Sequence, residues 1–277
     1  MNILNILIEQ PIINILVTFY HILLYVHIPY ALGFAIIALT VFIRLIMYPL
    51  TSSQLKMQKK MQDIAPHLSK IKEKHKGDMK SQQAATMELY KEHNLNPMAG
   101  CLPGIVQIVI LLFGLYPALR KVIEVNPKET VMVINKLVYS PALKLTSVWD
   151  THFFGLELAK TPSHLISSVG PFILLVPVVT GLLQFIQSKM MAPAVTEESR
   201  SLPAIKNDKK PATDDFAATF QKQSMYLLPV MIGFFSWQFS IGLSLYWNTF
   251  SLFGIIQQYR ISGLGSLSKY LSRTDSK

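Results

Sequence analysis

Ile28-Pro-Tyr-Ala-Leu-Gly-Phe-Ala-Ile-Ile-Ala-Leu-Thr40-Val-Phe-Ile-Arg44-Leu-Ile-Met-Tyr-Pro-Leu50 has the length and apolarity of a membrane span, and Arg44 is its only charge. A span needs about 20 predominantly apolar residues. A charged side chain near the bilayer core costs from about 2.5 kcal/mol on insertion scales to over 10 in simulations, which makes it a functional candidate by default.

The rest of the chain agrees with a membrane setting. Of 277 residues, 51% are hydrophobic and only 15% charged, and mean hydropathy is +0.35; a soluble domain carries more charge than this. Further apolar stretches lie at 102–119 and 165–186, and an uncharged run covers 223–259. That run is too long for one helix and is best cut near Ser240-Ile241-Gly242, which predicts an all-α polytopic protein with five spans. The expected spans are 28–50, 97–121, 165–190, 223–239 and 242–260.

Charge sets the expected orientation. Residues 51–96 hold nine Lys and Arg, 189–222 six, 260–277 four, and 120–164 six. By the positive-inside rule the first three segments are cytoplasmic and the fourth external. The N-terminus is then outside, in keeping with the absence of Lys or Arg before Arg44, and the C-terminus inside. Residues 1–27 are apolar from Pro11 to Val26 but lack a basic leader, and one more crossing would reverse the ends. They are expected to form an amphipathic helix in the outer interface. The net charge of +10 invites a nucleic-acid reading, yet the basic residues flank spans, where they set topology and meet anionic lipid.

Between the first two spans, Met57, Met61, Ile64, Leu68 and Ile71 recur at helical spacing. Gly77-Asp78 interrupts them, a second stretch places Ala84, Met87 and Tyr90 on one face, and Asn94 and Asn96-Pro97 end it. Residues 51–96 therefore read as a cytoplasmic helical hairpin. Its stripes hold the arms together, while Met61, Met79, Met87 and Met98 are soft side chains suited to meeting unfolded apolar segments. Residues 191–222, with Pro193, Pro203 and Pro211 and mixed charge, read as a mobile cytoplasmic loop, and 261–277 as a cytoplasmic tail.

Bond-making chemistry finds no support. Gly242-Leu243-Ser244-Leu245 superficially matches an intramembrane serine-protease context, but a serine nucleophile needs a base, and none of the histidines (21, 27, 67, 75, 93, 152, 164) falls in the later spans. Neither a His-Glu-x-x-His nor a phosphate-binding glycine motif occurs. The lone Cys101 forms no disulfide framework and cannot build a zinc site by itself. The expectation is a non-enzyme with no cofactor and no metal.

Arg44 lies roughly 9 Å from the cytoplasmic end of its span, at about 1.5 Å per residue, so snorkelling is one reading. Helical Cα–Cβ bonds lean toward the N-terminus, however, which here aims the side chain at the bilayer centre. Thr40 shares its face, and Gln107 and Gln184 offer polar groups from other spans. A wet internal groove, positive and open to the cytoplasm, accounts for all four and would attract acidic or polar segments entering the membrane.

The order of motifs resembles the bacterial YidC-type membrane protein insertase family: Arg44-Leu-Ile-Met-Tyr-Pro-Leu-Thr51, Met61-Gln-Asp-Ile-Ala-Pro66, Leu89-Tyr-Lys-Glu-His93, Asn96-Pro-Met-Ala-Gly-Cys-Leu-Pro103 with Gln107, Gly242-Leu-Ser-Leu-Tyr-Trp247 and Ile256-Gln-Gln-Tyr259. The resemblance runs from residue 12 to 262. It implies a five-helix bundle around a hydrophilic groove open to the cytoplasm and to lipid, with Arg44 as its positive charge and Thr40, Gln107 and Trp247 along its wall. The hairpin is implied as the capture element for incoming chains. The implied partners are nascent small or few-span membrane proteins, the ribosome, membrane lipids and the Sec translocon, beside which such a protein works when it does not work alone. The implied location is the plasma membrane. The chain departs from the family at Phe239-Ser-Ile-Gly242, where the family's turn has proline second, and neither a large extracytoplasmic domain nor a lipoprotein anchor is expected. The rival reading is a small-solute or anion transporter binding its cargo at Arg44, although the repeat symmetry common in transporters is not evident.

Overall fold

The computed structural model describes residue 3 and residues 5–95, 102–124, 126–191 and 212–267. Asn96 to Cys101, most of the 191–222 loop and the end of the tail lie outside the described residues.

The described chain is predominantly helical. A π-helical turn, Asn5–Glu9, leads into α1 (Gln10–Tyr25), and α2 runs from Ala31 to Asp63. Then come α3 (Ala65–Lys74), α4 (Met79–Glu92) and α5 (Leu102–Ile110), which continues through a π turn into α6 (Tyr116–Leu119) and a second π turn ending at Glu124. Residues 122–164, expected as an extracytoplasmic loop, contain α7 (Pro127–Leu137) and a two-stranded antiparallel hairpin, β1 (His152–Phe153) and β2 (Leu156–Glu157). It is followed by α8 (Pro162–Val169), α9 (Leu175–Met191), α10 (Ala212–Ser236) and α11 (Ile241–Ser262). Gly170, at φ +79°, separates α8 from the helical turn Pro171–Leu174 that opens α9; only glycine adopts such a backbone without strain. The helix that is long and apolar enough to cross a membrane here is Pro171–Met191.

By length and composition, four described helices can cross a membrane: Asn5–Tyr25, Ala31–Asp63, Gly104–Ile123 and Pro171–Met191; Met225–Ser236 is a shorter apolar helix. α11 is longer but carries serine, threonine and glutamine along its length.

Two compact units can be described separately. The first comprises Met1–Tyr48, Gly104–Gln184 and Val230–Phe253. Its core is apolar and lies where α1, the first turns of α2, the second π turn, α7 and the hairpin meet. Ile13 and Leu16 pack with Leu32, Ile36 and Leu39, and with Leu115, Val122, Ile134 and Leu158. Gly33 admits the Phe153 ring, and Gly114 admits Ile8 and Ile12 where a β-carbon would clash.

Helix α1 is tied to one segment along its whole length. Glu9 pairs with Lys121, Gln10 and Asn14 donate to the Leu137 carbonyl at 3.0 Å each, and His21 Nε2 lies 3.3 Å from the Leu143 carbonyl. Tyr20 meets Trp149 edge to face, and Trp149 donates to the Val122 carbonyl.

The second unit comprises Pro49–Pro103, Phe185–Pro229 and Gly254–Lys277. Its described hairpin is held by Ile64, Leu89 and Leu95, with Met57, Met61, Leu68, Ile71 and Tyr90 around them. The stripe read on the first arm thus faces inward. On the second arm Leu89 and Tyr90 make the contact, whereas Ala84 and Met87 face outward. α2 passes Pro49 without a break and carries the hairpin's first arm as its own extension. Asp78 caps α4, accepting from the Lys80 and Ser81 amides and the Ser81 hydroxyl, as an N-cap aspartate does. Polar side chains join the remaining helices. Gln58 and Gln62 both donate to the Met191 carbonyl at the end of α9, Gln257 donates to Thr51 and Ser52, and Lys189 to the Tyr226 hydroxyl. The Gln58–Gln62 pair gives the Met191 carbonyl the donors that a helix end otherwise lacks in apolar surroundings.

Candidate functional site

The buried face of α2 changes character along its length. Ala31, Leu32, Ala35, Ile36 and Leu39 give way to Thr40 and then Arg44. α11 makes a comparable change, from Ile241, Leu243 and Tyr246 to Ser251. Within the first unit, an apolar interior at one end of the helices is thus replaced by a polar one toward the other.

Arg44 is 5% exposed. Its Nη2 donates to the Phe250 carbonyl at 2.6 Å, and its Cζ lies 3.4 Å from the centroid of the Phe250 ring, with Phe253 at 5.9 Å. Nε is buried with no hydrogen-bond partner among the described residues. No acidic residue occurs in α9 or α11, nor in α2 before Asp63. Among the described residues the cation is thus held by neutral groups: the Phe250 carbonyl dipole and the negative faces of aromatic rings. Unpaired buried charge is costly, and an anion arriving at this guanidinium would meet an attraction little screened by water.

The other residues expected at the site are distributed around it unevenly. Thr40, 1% exposed, donates its hydroxyl to the Ile36 carbonyl at 2.6 Å and so is satisfied within its own helix. Gln184 and Trp247 are brought together: the indole Nε1 donates to Gln184 Oε1 at 3.3 Å, linking α11 to α9. Gln107 is half-buried on α5 and makes no hydrogen bond to another described residue. Arg44 bonds to none of the four; its donor contact is to Phe250. The residue that holds it, Phe250, lies one turn beyond Trp247 on the same side of α11; the signal that points to it is an aromatic residue at i+3 from Trp247, which is too common to single out.

Ser244, the centre of the protease-like tetrapeptide, lies 3.1 Å from the Ser236 hydroxyl, which in turn donates to Thr180. This chain of hydroxyls joins α9, α10 and α11, and no histidine enters it. Among the described residues no cluster of three or more metal-ligating side chains occurs.

The chain's residues 4–266 match the family model described as 60Kd inner membrane protein. It is 35% identical over 234 residues to the membrane protein insertase YidC of Fusobacterium nucleatum, covering 84% of this chain and 87% of that one. With the YidC insertase of Geobacter sulfurreducens it shares 33% identity over 230 residues, 83% of this chain and 33% of the relative. With the inner membrane protein ALBINO3 of Arabidopsis thaliana chloroplasts it shares 30% over 267 residues, 91% and 51% respectively. The chain thus matches most of the first relative and a third to a half of the two longer ones. The relatives are named as insertases or membrane proteins, and none of these names denotes an enzyme. The chain belongs to the 60Kd inner membrane protein family, the family of the YidC-type membrane protein insertases.

Proposed function

We propose that this multi-pass membrane protein is an insertase that captures nascent membrane proteins from the cytoplasm and passes their hydrophobic segments into the bilayer along a groove whose positive charge is Arg44. The observation that carries the reading is a buried arginine held only by a carbonyl and a ring. Such a group can exchange neutral partners for a client carboxylate without first breaking an ion pair. Thr40, Gln107, Gln184 and Trp247 serve as the polar wall, the hairpin around α3 and α4 as the capture element, and outward-facing Met79 and Met87 as its adaptable surface.

No bond is made or broken in this mechanism. The driving force is the transfer of the client's apolar segment into lipid. For acidic tails crossing outward, the membrane potential adds about 2.3 kcal/mol per charge per 100 mV. The protein acts alone or beside the Sec translocon, receiving clients from the ribosome. It sits in the plasma membrane with its N-terminus outside and C-terminus in the cytoplasm, the orientation that the distribution of Lys and Arg favours. The contacts of α1 support its lying along the outer interface: Glu9 near one end and His21 near the other both reach the single segment 121–143.

Photo-crosslinking from positions 107 and 247 to a stalled single-span client, with lipid-facing Leu174 as control, tests this reading. Crosslinks at the first two positions and none at the third are expected. Their absence in folded, inserted protein would overturn it and favour a transporter.

A further inference from the structure

The holding of Arg44 chiefly by Phe250, which supplies both a carbonyl and a ring, has a functional logic of its own. A buried guanidinium can be stabilised by a carboxylate, but that partner would cancel the charge and leave nothing to attract a client. Phe250 offsets part of the desolvation with its ring quadrupole and its backbone carbonyl, and both leave the net charge in place. A ring stacked on the guanidinium covers one face, while donors in the guanidinium plane approach partners from the edge. Nε–H is the edge donor that lacks a partner among the described residues.

We propose that Phe250 is the positioning residue for Arg44: its ring fixes the guanidinium plane so that the charge stays unneutralised and the buried Nε–H edge stays unbonded, able to pair with a carboxylate of the client's translocated tail once the client enters the site. This rests on the reading of Arg44 as the client-binding cation. Phe253, at 5.9 Å, flanks the same group at the outer limit of about 6 Å for such contacts, whereas the Phe250 ring lies against it at 3.4 Å. The inference therefore assigns to Phe250 an effect on client choice. A hydrophobic residue that merely filled space would affect every client alike.

The test uses the full-length protein in proteoliposomes and two clients identical but for an acidic or an uncharged residue in the translocated tail. Phe250→Leu removes the quadrupole, Phe250→Tyr keeps it, and Phe250→Met offers a second flexible apolar replacement should Leu fail to accumulate. With Phe250→Leu or Phe250→Met, insertion of the acidic-tailed client is expected to fall about fivefold to tenfold, while Phe250→Tyr retains it to within about twofold. The uncharged client should change little in all three. In an Arg44→Ala background the replacement of Phe250 should add nothing further, because the effect runs through the arginine.

Equal loss of both clients, or an undiminished effect of Phe250→Leu when Arg44 is absent, would overturn the proposal and leave the ring a packing group. Failure of the underlying reading is distinguishable: Arg44→Ala alone would then spare the acidic-tailed client. If Arg44→Ala impairs that client while Phe250→Leu and Phe250→Met do not, the arginine's role stands and that of Phe250 falls.

Discussion

Trp247 Nε1 donates to Gln184 Oε1 at 3.3 Å, joining α11 to α9 by a side-chain bond. Interhelical hydrogen bonds in membrane proteins average only about 0.6 kcal/mol, so the bond is weak as a fastener. Gln184→Leu is expected to lower the thermal midpoint in detergent only slightly, yet to reduce client crosslinking at position 247 severalfold by removing a polar group from the wall. A large fall in stability with unchanged crosslinking would make the pair structural.

Gly233 and Gly181 mark a close crossing of α10 and α9. A β-carbon on Gly233 would lie 3.3 Å from the Gly181 Cα and 3.3 Å from the Pro177 carbonyl oxygen. Alanine requires a small outward shift, whereas valine forces the helices apart, at a cost of about 1–3 kcal/mol for overpacking. Gly233→Val should lower the melting temperature more than Gly233→Ala. Gly104→Ala, with open space at its β-carbon, is expected to have no such effect.

Some of this architecture is legible in the sequence because the bilayer imposes a simple rule on it. Long apolar helices stand out by composition, and the lone charge in residues 28–50 identifies Arg44 without further information. The chain turn between α10 and α11 falls at residues 237–240, beside the Ser240-Ile241-Gly242 break. What fills residues 122–164 was not legible: β1 and β2 are two residues each, too short to show any periodicity. The partner of Arg44 was hidden for a different reason. Phe250 lies 206 residues away in sequence, and cation–π pairing depends on tertiary placement that no local pattern encodes. On the hairpin's second arm, Ala84, Met87 and Tyr90 share a helical spacing, but Leu89 carries the burial, so a spacing with few large apolar residues misidentifies the packed face.

Asn14 caps the end of α7 from another helix. Its amide donates to the Leu137 carbonyl at 3.0 Å and its carbonyl accepts from the Tyr139 amide at 2.7 Å. A buried polar group left without its partner costs about 1–3 kcal/mol. Asn14→Leu should therefore destabilise the first unit and raise hydrogen exchange at Tyr139, whereas Asn14→Asp retains the acceptor for that amide and should protect it better than Leu does.

Asp78 predicts a pH response in the hairpin. Hydrogen bonds from the Ser81 hydroxyl and amide, and then from Lys80, hold its carboxyl below the usual carboxylate range. A folded-state pKa below the unfolded value of about 3.9 contributes stability above that value, lost as pH falls through the folded pKa. Exchange protection at the first turn of α4 should accordingly be constant near neutrality and decline below about pH 4. Asp78→Ala should remove the dependence and lower protection at neutral pH as well.

Substitution of Arg44 separates charge from hydrogen-bond geometry. Lysine keeps the positive charge and can stack on Phe250 and donate to its carbonyl, but it lacks the planar fork with which arginine grips an oxyanion in bidentate fashion. A groove that needs only a cation should work with it. Arg44→Lys is therefore expected to retain growth complementation and insertion of acidic-tailed clients, and Arg44→Ala to lose them by about tenfold or more, since one uncompensated charge contact in a poorly solvated site is worth at least about 1.4 kcal/mol. Clients with uncharged tails should be affected far less by either change. If lysine fails as completely as alanine, the site demands the arginine fork, as a small-anion transporter would. If alanine supports every acidic-tailed client, the charge at position 44 has no part in insertion, and the groove must select clients by its apolar surfaces alone.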